Sequence, residues 1–141
     1  MAGTPPVPAR IAAVWARYPG AMRDRFQTLR GLIYTVAAET EGVGPLTETL
    51  KWGQPAYLTE ASRSGTTIRL GTVKSAPAAC AVLVSCQTTL IESFRAQFAG
   101  DLAFDGNRAM VLVPDRGLPV GALRLCLLSA LTYHAAKRAS R

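Results

Sequence analysis

Thr66-Thr-Ile-Arg-Leu-Gly-Thr-Val73 sets Ile68 and Leu70 against Thr67 and Arg69, the two-residue apolar period of a strand with one wet face. Turn chemistry in Ser62–Gly65 separates it from a shorter strand at Pro55–Leu58. Downstream, Ala79–Ser85 carries the core-like run Val82-Leu-Val84 and reads as a third strand. Leu102–Phe104 and Asn107–Val113 flank Asp105-Gly106, a pair that readily takes the positive φ angles of a tight hairpin. Strands joined by short turns run antiparallel, because a parallel pair needs a crossover of about a dozen residues or more.

Elsewhere the period is helical. Ile11, Val14, Trp15 and Tyr18 keep helix-like spacing until Pro19-Gly20 stops them. A long helix is expected from about Ala21 to Ala38, with Met22, Phe26, Leu29, Ile33 and Val36 on its apolar stripe. Arg23, Gln27, Arg30 and Tyr34 fall on the opposite side. Leu46–Trp52 is expected to form a brief helix closed by Gly53. Thr89-Leu-Ile-Glu92 has the form of a capping box, opening a helix with Leu90, Phe94 and Phe98 on one face. Pro119, at a first helical position, opens a final helix through about Lys137 whose buried face holds Val120, Leu123, Leu127 and Ala130. The expected fold is α+β, an antiparallel sheet of about five strands with helices mainly on one face, in the order α-α-β-β-β-α-β-β-α. Residues 1–141 make one domain, with the Pro-rich stretch 1–9 an extended, mobile arm.

Composition narrows the function classes. Apolar residues make up 49% of the chain and charged residues 18%, a globular rather than a disordered balance. The formal charge of +7 attracts anions. The basic residues are scattered and no nucleic-acid motif accompanies them, so nucleic-acid binding is disfavoured. Three cysteines, Cys80, Cys86 and Cys126, are an odd and sparse set that suits a reducing compartment, and a cytoplasmic location is expected. No apolar run reaches the ~20 residues needed to span a bilayer, so no membrane partner is expected.

Leu46-Thr-Glu-Thr-Leu-Lys-Trp-Gly-Gln-Pro-Ala-Tyr57 resembles the YdhG-like family, also called domain of unknown function 1801. That family carries an acidic residue, then Lys-Trp-Gly-x-Pro and an aromatic or apolar residue, here Glu48, Lys51, Trp52, Gly53, Pro55 and Tyr57. Further similar segments are Thr67-Ile-Arg-Leu-Gly71, Ser85-Cys-Gln-Thr-Thr-Leu90, Phe104-Asp-Gly-Asn-Arg108 and Leu131-Thr-Tyr-His134. The resemblance implies a compact α+β fold of bacterial type with an antiparallel sheet, and no established activity. Some relatives carry a frataxin-like iron-chaperone label. Hard cations need several carboxylate oxygens, whereas the first long helix carries Arg23, Arg25 and Arg30 against Asp24 and Glu39. An iron-chaperone role is therefore disfavoured.

The candidate ligand-binding residues are Lys51, Trp52, Gln54, Tyr57, Arg69, Asn107 and Arg108. Two aromatics beside a rigid Gly/Pro turn are suited to walling a pocket, with Lys51 holding an anionic group. The structural alternative has Trp52 plugging the core edge, Gly53 taking a left-handed cap and Pro55 starting an edge strand. Arg69 and Arg108, both outward on strands, would make a guanidinium pair for a carboxylate or phosphate. Cys86, ahead of a helix N-terminus, and His134, the only histidine, are weak candidates for a catalytic thiol and its base. The alternative for each is a structural thiol and a hydrogen-bonded structural histidine. No metal site and no cofactor are expected, since Cys80, Cys86, Cys126 and His134 lack zinc-ligand spacing. The leading expectation is a non-catalytic binding module for a small anionic ligand or a protein partner. A thiol-dependent enzyme or redox protein using Cys86 with His134 is the first alternative. A homo-oligomeric interaction module, such as a homodimer, is the second.

Overall fold

The computed structural model describes residues 3–140. Its elements are α1 (Ala9–Trp15), α2 (Gly20–Glu39), β1 (Thr47–Lys51), β2 (Gln54–Leu58), β3 (Ile68–Val73), β4 (Ala76–Leu83), α3 (Leu90–Phe98), β5 (Ala103–Asp105), β6 (Ala109–Leu112), α4 (Val120–Leu131) and α5 (Tyr133–Ala139). The fold is α+β, and every strand pair is antiparallel, in the spatial order β1-β2-β3-β4-β6-β5. No described helix is long and apolar enough to cross a membrane.

The sheet has six strands rather than five because Thr47–Lys51 is β1 and not a helix. Thr47 and Thr49 are β-branched and alternate with Glu48 and Leu50, a pattern suited to a pleat. Lys51 pairs with Gln54 across the two-residue loop Trp52-Gly53, whose φ angles of 56° and 74° are both left-handed. That is the loop geometry whose twist matches a hairpin.

The pleat sorts the side chains onto two faces. Tyr57, Ile68, Leu70, Val82 and Met110 point toward the helices and join Phe26, Leu29, Ile33, Phe94, Leu123 and Leu127 in one core. All five residues expected on the apolar stripe of α2 are buried. Trp15 lies parallel to Phe26, 5.8 Å between ring centres, which anchors α1 over the start of α2. Val120, expected inside, is exposed at the first residue of α4, and Cys126 and Leu131 are buried in addition to the expected residues.

Two residues, Arg30 and Tyr34, break the expected amphipathic division of α2. Arg30, expected at the surface, is 2% exposed. Its Nε and Nη2 donate to the two carboxylate oxygens of Glu48 at 2.6 and 2.9 Å. Nη1 and Nη2 also donate to the carbonyls of Pro5 and Pro6. Pro5 and Pro6, expected in a mobile arm, are instead docked on α2, with Val7 packed against the core, while residues 1–2 of that stretch lie outside the described residues. Tyr34 is half-buried beside them, edge-on to Tyr57 at 5.9 Å, and donates to Glu48. Burial opposes ionisation of Glu48, but the Arg30 hydrogen bonds, with help from the tyrosines, outweigh it and hold the carboxyl below the usual range.

The final helix is broken into α4 and α5 at Thr132, whose φ and ψ are −116° and 8°. The β2–β3 loop fills the break. Thr66 N donates to the Ala130 carbonyl, Ser64 Oγ to the Leu131 carbonyl, and Ala135 N back to the Ser64 carbonyl. Carbonyls orphaned at the end of α4 are thereby satisfied. A Cβ on Gly65 would lie 2.4 Å from the Leu131 oxygen, so only glycine fits. The capping box expected at Thr89 does not form, for its side chain makes no cap hydrogen bond. The turn Ser85–Thr88 intervenes, and the Leu90 amide reaches the Thr88 hydroxyl instead.

Gly65→Ala is expected to destabilise the chain by about 2–4 kcal/mol, the scale of severe overpacking against rigid backbone, and a urea melt measures it. Glu48→Leu leaves Arg30 buried and uncompensated, for an expected loss of about 3–5 kcal/mol. Because the folded pKa of Glu48 is depressed, its contribution is present above the unfolded carboxylate range near pH 4 and vanishes as pH falls through the folded value. The urea midpoint of the wild-type chain should fall below about pH 4, and that of Glu48→Gln should fall less steeply.

Candidate functional site

With helices on one face, polar side chains of opposite parity gather on the other. Arg69 lies between Ile68 and Leu70, so the pleat sends it to the uncovered face. Its partners across the neighbouring strands are Ala56 and Leu83, and Leu83 pairs with Ala109. Ala56, Leu83 and Ala109 are themselves buried. Gly71 is bare for a reason: a Cβ there would sit 2.2 Å from the Gln54 side chain. Without it Gln54 lies across β3, and its Oε1 accepts a hydrogen bond from Arg69 Nη1 at 2.7 Å.

Around Arg69 is a cleft of about 260 Å³ lined by Lys51, Trp52, Thr67, Arg69, Val84, Ser85, Cys86 and Arg108. Four separate segments build it. The β1–β2 hairpin supplies Lys51 and Trp52, and β3 with its approach supplies Arg69 and Thr67. The loop after β4 supplies Val84 to Cys86, and the turn between β5 and β6 supplies Arg108. That turn is tied down by a 2.8 Å bond from Val84 N to the Arg108 carbonyl.

The cleft is electropositive. The ion pairs among the described residues are Arg30–Glu48 and Arg124–Glu39, so no carboxylate pairs with Lys51, Arg69 or Arg108. Burial lowers the Arg69 guanidinium pKa, and the positive charge of Arg108 lowers it further. Arginine stays protonated regardless, so the site holds repulsion that an anion would relieve. Thr67 and Ser85 add hydroxyls to the same walls.

Sequence reasoning thus named five residues that share the cleft, Lys51, Trp52, Arg69, Arg108 and Cys86, and a sixth, Gln54, that orients one of them. Tyr57 is elsewhere. It faces the helices, fully buried, with its hydroxyl beside Glu48 but outside good hydrogen-bond geometry. Asn107 is exposed in the β5–β6 turn and does not line the cleft. Trp52 is not a core plug, being 89% exposed. Ser85 was missed, because its place is set by where β4 ends, and β4 stops at Leu83.

Cys86 and His134 do not form a pair. No hydrogen bond joins them among the described residues, and His134 is exposed on α5, against Tyr133 and outside the cleft. Cys86 is the exposed thiol; burial pushes Cys80 up to about 11 and Cys126 up to about 12. Among the described residues no three His, Cys, Asp or Glu side chains gather at metal-binding distance. A larger groove of about 450 Å³, lined by residues including Tyr18, Met22, Pro77, Cys80 and Pro114, is almost wholly apolar. Its one cation, Arg25, already donates to the carbonyls of Val113, Pro114 and Arg116. It therefore lacks the free convergent polar groups that orient a ligand. No protein family, curated protein or solved structure is matched by this chain.

Trp52 occupies a left-handed position that disfavours bulky residues and suits asparagine. Trp52→Asn should leave the fold intact and raise unfolding free energy by about 0.5–1 kcal/mol. A loss of stability in a urea melt would show that the indole supports the fold.

Proposed function

We propose that this protein is a non-catalytic binding module that captures a small anion in the cleft around Arg69. The observation that carries the reading is that Arg69, Arg108 and Lys51 line one cleft with no acidic partner among the described residues. Guanidinium presents a planar fork of donors suited to two oxygens of a carboxylate or phosphate. Gln54 holds Arg69 in one orientation before any ligand arrives, which reduces the entropy lost on binding. The resemblance to the YdhG-like family belongs to the same proposal and adds no activity to it.

The thiol-dependent alternative draws on a single observation, the presence of exposed Cys86 in the cleft wall. Without His134 beside it, that thiol has no base within the cleft. Cys86 is more useful as a reporter of what the cleft attracts.

A doubly anionic aromatic disulfide and a neutral disulfide of similar size should be compared as reagents for Cys86. The anionic reagent is expected to react about tenfold faster at low salt, because local positive potential concentrates it. Raising the salt, or replacing Arg69 and Arg108 by glutamine, should bring the two rates together. Inorganic phosphate should slow both reagents. Equal rates in the wild-type chain would dispose of the anion reading.

A further inference from the structure

Trp52 is placed at a double cost. It sits at the first loop position of a tight hairpin with φ 56°, where asparagine, aspartate or glycine is the unstrained choice. It also leaves its indole 89% exposed, although a buried aromatic is worth more to stability than any other side chain. No described aromatic ring stacks on it and no described cation covers it. Both faces of the ring are therefore open, and the ring forms part of the wall of the cationic cleft. The glycine that follows, at φ 74°, completes the turn that carries the indole.

We infer that the anion captured here carries a flat conjugated ring, which stacks on Trp52 while its charged group meets Arg69 and Arg108. The inference rests on the anion reading of the same cleft and specifies the ligand class. Two features select it. An inorganic anion has no use for an exposed indole, whereas a conjugated ring gains stacking on one face. The cleft, at about 260 Å³, lies just below the usual range for drug-sized ligands and suits one ring with one anionic group. Thr67 and Ser85 offer hydroxyls to the oxygens of the charged group.

Phenyl phosphate, cyclohexyl phosphate and inorganic phosphate separate the two layers of the claim. Titrated into the full chain by calorimetry, phenyl phosphate should bind about tenfold tighter than cyclohexyl phosphate, the factor expected of one aromatic stack. Trp52→Phe should keep most of that preference and Trp52→Leu should erase it, with inorganic phosphate unaffected by either. Arg69→Gln should weaken all three ligands. Equal affinity for the two esters, with both still dependent on Arg69, overturns the stacking inference and leaves the anion reading standing. Failure of all three to bind, or binding indifferent to Arg69→Gln, overturns both.

Discussion

The buried contact of Arg30 with Glu48 is the constraint from which the placement of the site follows. It joins α2 to β1 by two charge-assisted hydrogen bonds inside the protein, where an unpaired member of either kind would be intolerable. β1 is an edge strand, held to the sheet on one side only by β2. Without the tie, the β1–β2 hairpin would have β2 as its principal anchor, and its tip carries Lys51 and Trp52. The same guanidinium also gathers in the Pro5 and Pro6 carbonyls. One side chain therefore fastens an edge strand, a helix and the N-terminal arm.

Given that anchor, the rest of the site is a matter of parity. Tyr57 and Ile68 are paired across β2 and β3 and both face the helices, while Ala56 and Arg69, one residue along each strand, are paired on the other face. Shifting either strand by a single residue would exchange these sets, sinking a guanidinium into the core and raising an aromatic ring to the surface. The energy that fixes the cleft is thus spent on the opposite side of the sheet, in the burial of Tyr57, Ile68, Leu70 and Met110. The exposed cleft residues Lys51, Trp52 and Arg108 need contribute little to stability.

Much of this was legible in the chain. The alternation at Ile68–Leu70, the Asp105-Gly106 turn and the stripe on α2 gave antiparallel strands with helices on one side, and that is the fold. The failures share a cause. Thr47–Lys51 looked helical because Trp52-Gly53 hides a hairpin signal that Asn-Gly would have announced. Arg30 looked like a surface residue because its partner, Glu48, is separated from it by 18 positions and by a change of secondary structure. The break at Thr132 is dictated by a loop that inserts from far away in sequence. Local pattern encodes period and turn type, whereas these features depend on which distant segment arrives. The cleft residues were found because charge and parity are local properties; Tyr57 was misassigned because an aromatic motif does not say which face it takes.

The insertion of the β2–β3 loop between α4 and α5 orders events in time. Ser64 meets Leu131 across 67 positions, and closing so wide an interval carries an entropic cost that must be met before the contact gives any return. During synthesis the segment around Leu131 emerges after all six strands have been made. Until it does, the bend at Gly65 closes only on Thr59 within its own loop, without the Leu131 contact. The C-terminal helices act as a bolt across the β2–β3 connection, one that exists only once the rest of the chain has been made.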